Sequence, residues 1–106
     1  NAVDDGRYGC VLGSLITQLS DRNESARVVL EDAFNRWRDL LASCLERLRV
    51  AGRLDPQADV RRLAVGIMAA LQGGYVLAQA AGETQVLADA LDMALARVRA
   101  LTRPRP

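Results

Sequence analysis

The chain has 106 residues, half of them apolar and a quarter charged, and its formal net charge at pH 7 is +1. This length supports one small domain, and the composition is that of a globular rather than a disordered protein. The near-neutral charge excludes the strong electrostatic footprint of a nucleic-acid-binding domain. Alanine and leucine dominate and aromatic residues are few, which favours helix over strand.

The chain divides into three parts. Asn1 and Ala2 resemble the scar of a cleaved expression tag, so we expect residues 1–7 to be a disordered lead-in. Residues 8–102 carry continuous helical patterning and are predicted to form one domain. Residues 103–106 alternate arginine with proline and are expected to be a tail, because proline does not continue a helix.

Two helices are predicted in the first half of the chain. Apolar residues at helical spacing predict the first over Cys10 to Leu19. A continuous apolar stripe that includes Cys44 predicts the second, from about Asn23 to Ala51, with Gly52 as its C-terminal cap. We expect Cys10 and Cys44 to be small buried residues in a reducing cytosol, with redox sensing at Cys10 as the alternative.

Two further helices are predicted in the second half. The third begins after Asp59, whose side chain is a candidate N-cap, and ends at Gly82. The fourth covers about Thr84 to Leu101, with a second apolar strip of Val86, Ala90 and Met93 beside its main one. No strand pattern remains, so the sequence predicts an all-α fold.

Residues 63–82 contain no charged side chain, and a helix apolar on every side must be buried on every side. Twenty residues span a bilayer, but this run is half glycine and alanine and includes Gln72 and Gln79, which argues against a membrane helix. Small residues recur every four positions, and such a ridge lets another helix approach closely. We expect a second copy of the chain to pack there, with packing inside one chain as the alternative. The ridge consists of Gly66, Ala70, Gly74, Ala78 and Gly82.

The sequence offers no catalytic constellation and no metal site, because it lacks histidine and lysine and has only two cysteines. We therefore predict neither an enzyme nor a cofactor. Apolar and aromatic residues of the first three predicted helices are instead candidates for an apolar ligand pocket, with a filled core as the alternative. The candidate pocket residues are Leu12, Leu15, Ile16, Phe34, Trp37, Leu41, Met68, Leu71 and Tyr75.

Four segments in this order resemble the C-terminal half of tetracycline-repressor-type (TetR family) transcription regulators. They are YGCVLGSLITQL (residues 8–19), AFNRWRDLLASCLERLRVAGRL (33–54), DPQADVRRLAVGIMAALQGGYVLAQA (55–80) and LADALDMALARVRAL (87–101). The resemblance implies a four-helix regulatory domain that dimerises through its last two helices. The positions it assigns to the interface, with Ala70 added from the ridge, are Ala70, Gly74, Tyr75, Leu77, Ala78, Leu87, Leu91, Ala94 and Val98.

The resemblance also implies a function. The chain is expected to be the effector-sensing and homodimerisation domain of a bacterial, cytoplasmic regulator, in particular a repressor. A small hydrophobic effector would bind this domain, whereas operator DNA would be bound only by an N-terminal helix-turn-helix that is not in this chain. The alternatives are a helical dimerisation or scaffold module without a ligand and a small membrane-associated helical protein.

Overall fold

The computed structural model describes residues 24–104, which form three helices, α1 (Glu24–Val50), α2 (Val60–Ala81) and α3 (Gln85–Leu101). They correspond to the second, third and fourth predicted helices. The all-α prediction is confirmed, whereas the predicted helix over residues 10–19 lies outside the described residues. α2 is the central element, since it packs against α1 and also against α3.

Residues that the sequence marked as helix ends also end the helices in the structure. The carboxylate of Asp59 accepts a hydrogen bond from the backbone N–H of Arg62 (3.1 Å) and caps α2. Gly82 follows α2 with φ +72°, a left-handed conformation that favours glycine. After α1, Gly52 has φ +77°, and the N–H of Arg53 donates to the carbonyl of Leu48 (2.8 Å), as in a Schellman motif.

The exposed face of α1 is covered by ion pairs between neighbouring turns. Asp32 and Arg36, four residues apart, form one such pair with 2.9 Å between their charged atoms. Arg49 donates to Glu46, and this hydrogen bond holds the pKa of Glu46 below its ordinary value. Leu30 and Leu45, on the side of the helix opposite Asp32 and Arg36, are buried, so α1 is amphipathic.

The prediction that Cys44 is buried is wrong, because its side chain is exposed. Cys44 lies about 100° from Leu45 around α1, and only the Leu45 side of the stripe faces the core at this level. The apolar stripe of α1 is therefore wider than the surface that α2 covers.

A contact between the α1–α2 loop and the end of α3, here called the terminal clasp, closes the fold. The clasp consists of residues 53–55 paired with residues 101–103. The N–H of Asp55 donates to the carbonyl of Leu101 (2.8 Å), and the N–H of Arg103 donates to the carbonyl of Arg53 (2.9 Å). Arg103 also forms an ion pair with the Asp55 carboxylate (2.9 Å). Between these bonds the side chain of Leu54 is 0% exposed, so the clasp has an apolar centre of its own.

α2 is long and apolar enough to cross a membrane when judged by length and composition alone. This is weak evidence, because core helices of soluble proteins meet the same description. In the structure α2 is buried on one side only. Val65, Val76 and Leu77 on its other side are exposed in the single chain.

Candidate functional site

A half-open groove of about 770 Å³ runs between α2 and α3 and is the candidate site of the described part of the chain. Its floor is made of small side chains from both helices, and its end is closed by the loop before α2. The lining residues are Asp55, Gln57, Ala58, Asp59, Arg62, Leu63, Gly66, Ala70, Ala90, Met93, Ala94, Arg97 and Leu101.

The terminal clasp positions the closed end of the groove. Asp55 is held by Arg103, and its second carboxylate oxygen accepts a hydrogen bond from the N–H of Gln57 (2.8 Å). The N–H of Ala58 donates to the carbonyl of Asp55 (2.9 Å), which completes the turn into α2. The loop wall of the groove is therefore fixed by hydrogen bonds to α3 and within the loop.

The charges around the groove lie at its rim. Arg62 and Arg97 are exposed and have no ion-pair partner among residues 24–104. The Asp59 carboxylate is occupied as the cap of α2. The described residues include no buried charged side chain and no cluster of three potential metal ligands. The groove is thus a small-residue floor with a polar rim, which is suited to binding rather than to acid–base chemistry.

The predicted interface residues differ in how deeply the structure buries them. Gly74 and Ala78 are buried, and Gly74 packs against Leu87 and Ala90 of the same chain. The close helix approach that the glycine–alanine ridge predicts is thus made at Gly74 by α3 of the same protomer. Leu77, by contrast, is 57% exposed. Ala70 and Ala94 are half-buried and line the groove. Further predicted interface residues are half-buried outside it, namely Leu87, Leu91 and Val98.

The described members of the predicted pocket do not line this groove. Met68 is buried, whereas Trp37 is 41% exposed and contacts Phe34 edge to face, with 6.1 Å between ring centroids. The pocket hypothesis stays a prediction, since three of its members lie outside the described residues. The half-buried members are Phe34, Leu41, Leu71 and Tyr75, and the members outside are Leu12, Leu15 and Ile16.

Several residues of the groove were not predicted as site residues, above all Met93, which is 78% exposed. A signal for it was present, because Ala90 and Met93 belong to the second apolar strip of the last predicted helix. The loop residues Gln57 and Ala58 gave no such signal, since their position depends on the distant contact with α3.

The chain matches the family model of the tetracyclin repressor-like C-terminal domain over residues 4–102. No curated protein and no solved structure gives a significant match. The matched range includes all three helices and the whole groove, and the all-α architecture is that of the family. The family is one of regulatory rather than enzymatic domains. The chain belongs to the family of tetracyclin repressor-like C-terminal domains.

Proposed function

We propose that this chain is the homodimerisation and effector-sensing domain of a TetR-type transcription regulator, acting as a repressor in the bacterial cytoplasm. The observation that carries the proposal is the apolar groove face of the α2–α3 pair, which one protomer leaves uncovered. We define the groove face as Gly66, Ala70, Leu77, Ala90, Met93 and Ala94.

The groove face has the properties of an interface between two copies. Leu77 lies two turns after Ala70, and therefore on the same side of α2. Leu77 and Met93 project large apolar side chains into solvent at 57% and 78% exposure. The small residues between them leave room for the helix of a second protomer to approach closely. Two helices from each copy would form a symmetric four-helix interface.

Arg62 and Arg97 at the rim suit this arrangement. Interfaces commonly have an apolar centre surrounded by polar, solvent-accessible side chains. Both arginines are free of ion pairs within the described residues, so neither must break an existing pair to reach a partner. Of the interface positions expected from the sequence, we retain Ala70, Leu77 and Ala94 and assign Gly74 to the packing within the protomer.

The effector site is proposed on the other side of α2, around Met68, Leu71 and Tyr75. A ligand would control DNA binding if it stabilised one spacing between the two DNA-reading domains that the dimer carries. Those domains would be helix-turn-helix units outside these residues. A soluble, cytoplasmic regulator is consistent with α2 being a helix that packs against other helices rather than one that spans a membrane.

The interface is tested by introducing a charge at its most exposed apolar position. Met93→Glu is expected to raise the dissociation constant of the dimer at least tenfold, about 1.4 kcal/mol, because burying a carboxylate in the interface costs more than its i, i+4 pairing with Arg97 at the rim returns. Leu40→Glu is the matched control, since Leu40 is 65% exposed on α1, away from the groove. Sedimentation velocity from 1 to 100 µM distinguishes the variants. If Met93→Glu and wild type dimerise with equal dissociation constants, the groove face is not part of the interface.

A further inference from the structure

Among residues 24–104, the side-chain amide of Gln72 is buried without a hydrogen-bond partner. Both its nitrogen and its oxygen have less than 1 Å² of accessible surface, and neither has a hydrogen-bond partner in the described part of the chain. Buried polar groups in proteins are nearly always paired, because an unpaired one keeps the full cost of its desolvation. An unpaired donor and an unpaired acceptor on one side chain therefore point to a partner that is not among residues 24–104.

The position of Gln72 indicates where that partner binds. Gln72 lies about 160° around α2 from Ala70, so it is on the side opposite the groove face. Met68 is about 40° away, one turn earlier, and Tyr75 is about 60° away, one turn later. Met68 is buried and Tyr75 is half-buried. Gln72 thus shares a face of α2 with residues of the proposed effector pocket and is unavailable to the proposed dimer contact.

We propose that the Gln72 side-chain amide is the polar recognition group of the effector site, and that it selects a neutral, largely apolar molecule carrying an amide-type donor and acceptor. This inference rests on the proposed effector-sensing function and names its ligand class. A carboxamide or lactam presents an N–H donor beside a carbonyl acceptor, which complement the carbonyl and an N–H of the Gln72 amide. A charged ligand is disfavoured, because residues 24–104 contain no buried charged side chain to neutralise it.

The test uses three probes with the same phenylpropyl body: 4-phenylbutyramide, n-butylbenzene and 4-phenylbutyrate. Binding to the full chain is followed by NMR titration, with the side-chain NH₂ signals of Gln72 assigned from their loss in Gln72→Leu. We expect the amide probe to shift these signals and to bind more tightly than the carboxylate. The preference for the amide over butylbenzene should fall about tenfold in Gln72→Leu, the effect of losing two neutral hydrogen bonds.

Two further measurements separate recognition from a structural role. Without a probe, Gln72→Leu should melt at a higher temperature than wild type, since leucine removes the unpaired amide. The control Gln85→Leu should retain the wild-type preference, because Gln85 is exposed and donates to Asp89 on the surface. If Gln72 is needed only for the structure, Gln72→Leu should instead melt at a lower temperature than wild type and bind the three probes with unchanged relative affinities.

Three results would overturn the inference. One is a preference for the amide probe over butylbenzene that is equal in Gln72→Leu and wild type. That result would mean that only water forms hydrogen bonds with the Gln72 side chain. Another is binding of butylbenzene near Met68 and Tyr75 with no preference for the amide, which would leave the apolar pocket of the proposed function intact. The third is no binding of any probe, which would remove the pocket while leaving the dimer to be judged by its own measurements.

Discussion

Gly74 of α2 lies directly against Leu87 of α3: a methyl group built on Gly74 would be 2.7 Å from Leu87 Cδ1 and 3.2 Å from Leu87 Cα. The leucine side chain has freedom to turn away, but its α-carbon moves only with the backbone of α3. The closest helix–helix approach of the small-residue ridge is therefore a contact within one protomer. The surface left for a second copy is the groove face beside it.

Gly74→Ala should accordingly destabilise the protomer by about 1–2 kcal/mol. The overpacking against Leu87 opposes, and exceeds, the ~1 kcal/mol that alanine gains over glycine inside a helix. Gly73→Ala is the matched control, because no atom beyond the neighbouring backbone of α2 lies within 4 Å of a methyl group there. That variant should be stabilised by up to about 1 kcal/mol. Urea denaturation of both variants measures the difference, and equal stabilities would contradict the close approach at Gly74.

The terminal clasp should contribute strongly to stability through Leu54. Leu54→Ala leaves a cavity at a fully buried position and is expected to cost about 2–4 kcal/mol. Val50→Ala, at an exposed position four residues earlier, should change stability by about 0.5 kcal/mol or less. Thermal denaturation followed by circular dichroism compares the two. A loss at Leu54 no larger than that at Val50 would mean that the clasp does not hold the loop.

The Glu46–Arg49 pair predicts a specific pH dependence. Hydrogen bonding by Arg49 lowers the folded-state pKa of Glu46 below the ordinary value of 4.5, so the folded state favours the ionised carboxylate. The stabilisation is present above pH 4.5 and is lost as the pH falls through the lowered pKa. Glu46→Gln should therefore melt lower than wild type at pH 7, and the difference should shrink towards pH 2.

The control for this measurement is Glu83→Gln, at an exposed glutamate without an ion pair in the described part of the chain. At pH 7 its melting temperature should lie closer to that of wild type than the melting temperature of Glu46→Gln does, because it breaks no ion pair there. The Glu46 effect should also be small and sensitive to salt, since the pair lies at the surface. A Glu46→Gln difference that persists unchanged at pH 2 would arise from packing rather than from the ion pair.

The fold could be predicted largely because its signals are local. Asp59 and Gly82 mark the ends of α2 through capping and a positive φ, which depend on a few adjacent residues. The glycine–alanine ridge likewise predicts that some helix approaches α2 closely. Its periodicity carries no information about whether that helix belongs to the same chain, so the contact of Gly74 with Leu87 becomes visible only in the structure.

The candidate site was less predictable because it depends on distant contacts. The groove exists where the loop of Gln57 and Ala58 is tied to Leu101 of α3, and no local pattern encodes that pairing. The prediction that Cys44 is buried was wrong because the apolar stripe on α1 is wide and α2 covers only part of it. The orphaned amide of Gln72 became visible only when its burial and its missing partners were known together.

The central claim, that the groove face joins two copies of this chain, is tested most directly by the solution mass of the wild-type protein. Sedimentation equilibrium at tens of micromolar should give about 23 kDa, twice the chain mass of 11.5 kDa. A mass of 11.5 kDa that holds up to 100 µM would contradict the account, because Leu77 and Met93 would then remain open to water with no partner.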